Sequence, residues 1–92
     1  MSEIHILKTW PESYQSIKKG FKTFEVRKND CDFKLNDVLI LQEYDPNMEL
    51  YTGEMDAFIV TYFLQGEFGL PKNMCVMSII PEESLTEMIK AD

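Results

Sequence analysis

Four consecutive apolar residues, Val38-Leu39-Ile40-Leu41, constrain this chain more than any other segment. A strand with one wet face alternates apolar and polar side chains, so an unbroken apolar run suits a strand covered on both faces. That places Val38 to Glu43 at the centre of a sheet. Other strands are predicted around it. Ile4 to Lys8 reads as a short one and Cys75 to Ile80 as the last, ended by Pro81. Met55 to Leu64 is the longest, with Phe58, Val60, Tyr62 and Leu64 facing one way and Ala57, Ile59, Thr61 and Phe63 the other. Thr23 to Lys28 alternates cleanly, with Phe24 and Val26 on one face and Thr23, Glu25 and Arg27 on the other, as a half-buried strand should.

A helix is predicted after the first strand. Thr9-Trp10-Pro11-Glu12 starts it, with Pro11 at the first helical position where its missing N–H costs nothing, and Gly20 closes it. Tyr14, Ile17 and Phe21 form the apolar stripe, opposite a wet side of Glu12, Gln15, Ser16, Lys18 and Lys19. Glu82 to Lys90 is predicted as a short closing helix, with Leu85, Met88 and Ile89 at helical spacing. Between the elements, Asn29 to Asp32 is a loop, and Leu35-Asn36-Asp37 is a tight turn with Asn36 in the left-handed region. Turn residues at Tyr44 to Asn47 and at Thr52-Gly53 make residues 44–53 a loop or hairpin tip, and Gln65 to Pro71 is a glycine-punctuated loop. The pattern fits an α+β fold, a strongly bent sheet or partly open barrel of five or six strands plugged by the first helix. Periodicity alone leaves other compact α+β folds open.

The 92 residues fit one domain, 1–92, and a composition 45% hydrophobic and 27% charged is enough to build one core. No apolar run approaches the roughly 18 residues of a membrane span, and Met1 to Lys8 lacks the pattern of an export signal, so no membrane association and a cytoplasmic location are expected. Cys31 and Cys75 are then expected as reduced thiols. Together with His5 they have no recognisable ligand spacing, so neither a metal nor a cofactor is predicted. The formal charge of −7 speaks against indiscriminate nucleic-acid binding. That average is uneven: residues 1–34 hold seven of the nine basic groups against five acids, and residues 35–92 hold two against eleven.

The segment Gly20-Phe21-Lys22-Thr23-Phe24-Glu25-Val26-Arg27 resembles the G-x-K-T-x-E-x-R signature of ASCH domains, members of the PUA-like superfamily. Together with His5 to Pro11, Asp32-Phe33-Lys34, Asn36 to Leu41 and Thr61 to Gly66, the chain looks like the branch known as domain of unknown function 3850. The resemblance implies a small β-barrel with a cleft between the first helix, the signature strand and the loop before the last strand. It also implies a role in binding RNA or a modified nucleotide. Some ASCH relatives hydrolyse the acetyl-amide of N4-acetylcytidine with a lysine, a threonine nucleophile and a glutamate, and ribonuclease activity is proposed for others. Lys22 matches that lysine, but Glu25 stands where the threonine nucleophile would be. A carboxylate can act as a base for water, yet it cannot form the ester that a hydroxyl would.

The residues of the signature suit recognition. Arg27 could hold a phosphate or a base edge with two hydrogen bonds, Glu25 could accept from an exocyclic amine, and Lys22 could supply a point charge. Against this stands the plainer reading that Glu25 and Arg27 only pair with each other. Trp10 and Phe68 are candidates for stacking on a base, a contact worth roughly 1–3 kcal/mol, although Trp10 also suits a packing lid over the helix start. His5 and Lys8 lie on opposite faces of a regular strand. Lys8 fits an anionic ligand, and His5 fits a hydrogen-bonded structural place. Three functions follow: a non-catalytic RNA- or nucleotide-binding module using Lys22, Glu25, Arg27 and Lys8, a small hydrolase of acylated nucleosides or RNA with Lys22 and Glu25 as acid–base pair, or a protein-interaction domain with a basic partner.

Overall fold

Strand β1 (Ile4–Thr9) stops at Trp10, whose extended backbone, φ −63° and ψ 148°, is what a residue before proline adopts. Pro11 then opens α1 (Pro11–Lys18), and Gly20 at φ +84° turns the chain out of it. In this computed structural model, which describes residues 2–30 and 32–84, the remaining elements are β2 (Phe24–Lys28), β3 (Val38–Asp45), β4 (Leu50–Gln65) and β5 (Met74–Pro81). The five strands form one curled mixed sheet, a half-barrel, in the order β1-β3-β4-β5-β2. Strand β1 runs parallel to β3, and every other pair is antiparallel.

Helix α1 carries the chain from one edge strand, β1, to the other, β2, and lies on the inner face against β3. Its Tyr14 and Ile17 join Leu7, Leu39, Leu41, Phe58, Val60 and Met77 in the core. Each such side chain contributes about 1.5–3 kcal/mol by leaving water. Phe21, expected in the helix stripe, is 84% exposed because the chain has already left the helix at Gly20. The centre of the sheet is β4, not β3. Leu39 and Leu41 are buried on the inner face, while Val38 and Ile40 on the other face are only half-buried, so the run is not covered on both sides.

Strand β4 is longer than its composition suggests. The turn expected at Thr52-Gly53 lies within the strand: Gly53 takes φ +97° where the β3–β4 register shifts between Gln42 and Tyr44, and the hairpin turns earlier, at residues 46–49. Asp45 holds that turn by accepting from the N–H groups of Asn47 and Met48. A second surprise lies further along β4. Its register against β5 jumps between Val60 and Tyr62, a β-bulge that reverses the faces beyond it. Phe58 and Val60 therefore point inward, but Phe63, and not Tyr62, continues the inner row. Residues 82–84 are helical, and the rest of the expected closing helix lies outside the described residues.

The start of β1 is latched to the turn before β3. Asn36 takes φ +72° as expected, and Asp37 turns its carboxylate inward, where Glu3 N–H (3.0 Å), Lys34 N–H (3.0 Å) and His5 Nε2 (2.8 Å) converge on it. A carboxylate only accepts, so His5 Nε2 carries the proton. Burial alone would raise the pKa of Asp37, but these three donors outweigh it and hold the group below its ordinary value. His5 has the structural place expected of it.

Candidate ligand-binding site

Strand β2 alternates as its sequence says but in the opposite sense to a greasy inner face. Phe24 and Val26 point outward and are 43% and 45% exposed, whereas Glu25 points inward and is only 3% exposed. The reason lies in the sheet order. As an edge strand β2 has no sheet neighbour beyond it, and its inner face looks across the open gap of the half-barrel toward β1 rather than into the packed centre.

A carboxylate in that position needs partners, and Arg27 and Lys22 supply them. Arg27 Nε donates to Glu25 Oε2 at 2.8 Å, and Lys22 Nζ stands 3.9 Å from Glu25 Oε1. Arg27 also spans the gap. Its Nη2 donates to the backbone carbonyl of Lys8 at 3.0 Å and to Thr9 Oγ1 at 3.3 Å, tying one sheet edge to the other. Lys22, in the connection between α1 and β2, donates to Ser13 Oγ on the helix at 2.5 Å. The three signature residues are thus brought together, with Glu25 behind and the two cations in front.

Beside Lys22 lies a hollow of about 380 Å³ lined by Trp10, Glu12, Ser13, Ser16 and Lys22. Trp10 is 54% exposed there, so it is not a buried lid; its ring meets Tyr44 edge-on at 6.2 Å. Lys8 contributes its carbonyl and not its ammonium, which sits over the Tyr44 ring 4.2 Å from the centroid on the outer face. Inner-face alternation gives the gap to Thr9 instead. Phe68 is 87% exposed at φ +54° in the loop between β4 and β5, and it does not line the hollow. Thr9 and Ser13, which orient the two cations, carried no signal in the sequence, because a hydroxyl on a helix or strand end is ordinary surface chemistry.

A larger cavity of about 590 Å³ opens between the last turn of α1, β4 and the end of β5. Asp56, Glu82 and Glu83 line it against one cation, Lys18, so it repels anions. Asp56 is already engaged by the Tyr14 hydroxyl at 2.7 Å, and this contact, after burial, pushes the Tyr14 pKa well above its usual range. Among the described residues no three His, Cys, Asp or Glu side chains cluster as a metal site would need, and no helix is long and apolar enough to cross a membrane. Cys75 is a free, buried thiol whose pKa burial raises, and Cys31 lies outside the described residues.

Residues 4–79 match the profile of a family described as Domain of unknown function (DUF3850). No curated protein matches the chain.

Proposed function

The chain belongs to the domain of unknown function 3850 family, and from the geometry of its cleft we propose that it is a non-catalytic module that binds RNA or a nucleotide, in the manner its likeness to ASCH and PUA-like domains implies. The observation that carries this is the convergence of Lys22 and Arg27 on buried Glu25 beside a hollow with an exposed indole at its rim. Glu25 itself is too buried to meet a ligand. It fixes the two cations instead, and a ligand meets cations already oriented, which reduces the entropy lost on binding. Trp10 offers a face for a base, and Lys22 and the uncommitted side of the Arg27 guanidinium offer donors to its acceptor edge or to one phosphate.

The local charge shapes the ligand. Two cations stand against Glu25 within the cleft and Glu12 at its rim, so the site suits recognition of a base with one phosphate at most and not the gripping of a long backbone. A hydrolytic role for Glu25 draws less support. Its Oε2 is held by Arg27 at 2.8 Å, and a general base has to be free to take a proton.

Trp10 is the only tryptophan, so its fluorescence reports the hollow directly. Titration with mononucleotides and short RNA oligomers is expected to quench it saturably, with Lys22→Ala weakening binding about tenfold, the loss of one charge-assisted hydrogen bond. No quenching by any of these ligands, or an unchanged affinity in Lys22→Ala, would overturn the reading. Turnover of an acylated cytidine that vanishes in Glu25→Gln would replace it with the hydrolase.

A further inference from the structure

Trp10 belongs to more than the hollow. The ring it meets, Tyr44, is the strand partner of Tyr51, so three aromatic rings run in one row from the rim of the hollow onto the β3–β4 hairpin. Thr52 turns inward to Glu43, and alternation therefore turns Tyr51 outward. Both contacts in the row are edge-on, at 6.2 and 5.0 Å. An edge-on contact uses at most one face of a ring. The two end residues, Trp10 and Tyr51, are 54% and 52% exposed, so each keeps a ring face open to water. Tyr44 between them is half-buried and its face is taken, because the Lys8 ammonium stands over it 4.2 Å from the centroid. The row has a held cation at its middle and a free aromatic face at either end.

Two flat rings on either side of a fixed ammonium match two bases with a phosphate between them. The acids of these strands do not oppose such a ligand. Glu43 accepts from Gln15 and Thr52, Asp45 from the turn N–H groups, Glu54 from Lys18 and Asp56 from Tyr14, while Glu49 lies in the turn beyond Tyr51. A proline-rich peptide with basic flanks, the other ligand that reads aromatic rows, meets Lys8 as a like charge. The spacing also fits. The two contacts leave at most about 11 Å between the Trp10 and Tyr51 rings, which four consecutive nucleotides cover at about 3.4 Å per stacked base and fewer cover when splayed.

We propose that the ligand of this domain is a single-stranded oligonucleotide and not a free nucleotide, and that Lys8 and Tyr51 form a second subsite that carries the strand out of the hollow. This rests on the nucleotide-binding reading of the hollow and extends it. Lys22 and Arg27 address the first nucleotide, whose base stacks on Trp10, the next phosphate comes to Lys8, and a later base lies on Tyr51. Stacking tolerates any base, so the second subsite adds affinity without choosing sequence. A duplex does not fit, since its bases are stacked on one another and leave no faces free except at the ends.

Trp10 fluorescence separates the two subsites. RNA tetramers of A, C and U are each expected to bind at least about tenfold more tightly than the matching 5′-monophosphate, the gain from one further stacked base, and an RNA duplex is expected to show no such gain. Tyr51→Leu keeps the bulk but has no aromatic face, so it should lower tetramer affinity about tenfold and leave monophosphate affinity unchanged, whereas Tyr51→Phe should retain both. Lys8→Ala leaves the backbone carbonyl that Arg27 holds, and should weaken the tetramer and lessen its dependence on salt. Circular dichroism checks that each variant is folded. Monophosphates that bind through Lys22, together with tetramers that bind no tighter or are untouched by Tyr51→Leu, overturn the second subsite and leave the hollow standing. Tetramer binding that needs Tyr51 and not Lys22 keeps the row and removes the hollow instead. Quenching by a proline-rich peptide that Tyr51→Leu abolishes, with no gain from RNA length, gives the row to a protein and overturns the proposal.

Discussion

Asp37 and Glu25 are both carboxylates buried in the half-barrel, 1% and 3% exposed, and they are held by different kinds of partner. Two of the donors to Asp37 are backbone N–H groups, and the third is a buried imidazole packed edge-on against Phe33 at 4.8 Å. The two backbone donors cannot turn away without the chain itself moving, and the imidazole is hemmed in by its packing. Glu25 is held by the long side chains of Arg27 and Lys22, and Lys22 also lines the hollow. The first arrangement locks the end of one strand to a turn. The second keeps two cations aligned while leaving part of each accessible. Equal burial therefore does not mean an equal role, and what separates the two is whether the partners belong to the backbone or to side chains that a ligand can also address.

The sharpest way to break this contrast is to remove each carboxylate's support in turn. Asp37→Ala leaves two backbone donors and His5 without their acceptor, and a loss of about 3–4 kcal/mol is expected in urea unfolding. A loss under about 1 kcal/mol would show that water replaces the carboxylate and that the latch is not structural. Arg27→Ala is next, at about 2–3 kcal/mol, because it strands a buried carboxylate and unties β2 from β1. The double variant Glu25→Gln, Arg27→Ala should recover part of that loss, and simple additivity would mean the pair is not coupled. Lys22→Ala should leave stability within about 0.5 kcal/mol, since its contact with Glu25 is long and partly wet, while affecting ligand affinity.

Two milder measurements sharpen the comparison. The folded-state pKa of Asp37 is depressed, so its contribution to stability is present above the unfolded value of about 3.8 and is lost as pH falls through the lower folded value. For Tyr14 the sign is reversed. Its folded pKa is raised, so its contribution is complete below about 10 and fades as pH climbs beyond that. Denaturation followed across both ranges should show an acid limb that disappears in Asp37→Asn and an alkaline limb that disappears in Tyr14→Phe. The smallest effect is that of salt on nucleotide binding. With one phosphate contact the logarithmic slope should be near −1, and a slope several times steeper would point to a backbone-gripping surface elsewhere.

Much of this architecture was legible in the residues. Pro11, Gly20, Asn36 and Pro81 mark real boundaries, and the strands lie where alternation and apolar runs put them, except that β4 begins at Leu50, inside the loop expected over residues 44–53. Local pattern could not say which face of β2 looks inward. Alternation gives two faces without labelling them, and the label comes from the strand's place at an open edge. The bulge at Thr61 was hidden for a related reason: one extra residue reverses every side chain beyond it and has no composition of its own. Of the site, the triplet Lys22, Glu25 and Arg27 was readable as a signature, whereas Lys8 and Phe68 were placed by residue type alone and stand apart from the hollow.

The bond from Arg27 to the Lys8 carbonyl has a thermodynamic corollary. A guanidinium that fastens the seam of an unclosed cylinder is also a group a guest molecule can claim, so occupancy and seam opening draw on one and the same nitrogen. A guest that takes Nη2 must loosen the clasp, and one that settles for the remaining nitrogen tightens it. Amide hydrogen exchange along Ile6 and Lys8 would then speed up or slow down with ligand, and its direction would tell which nitrogen the guest has claimed.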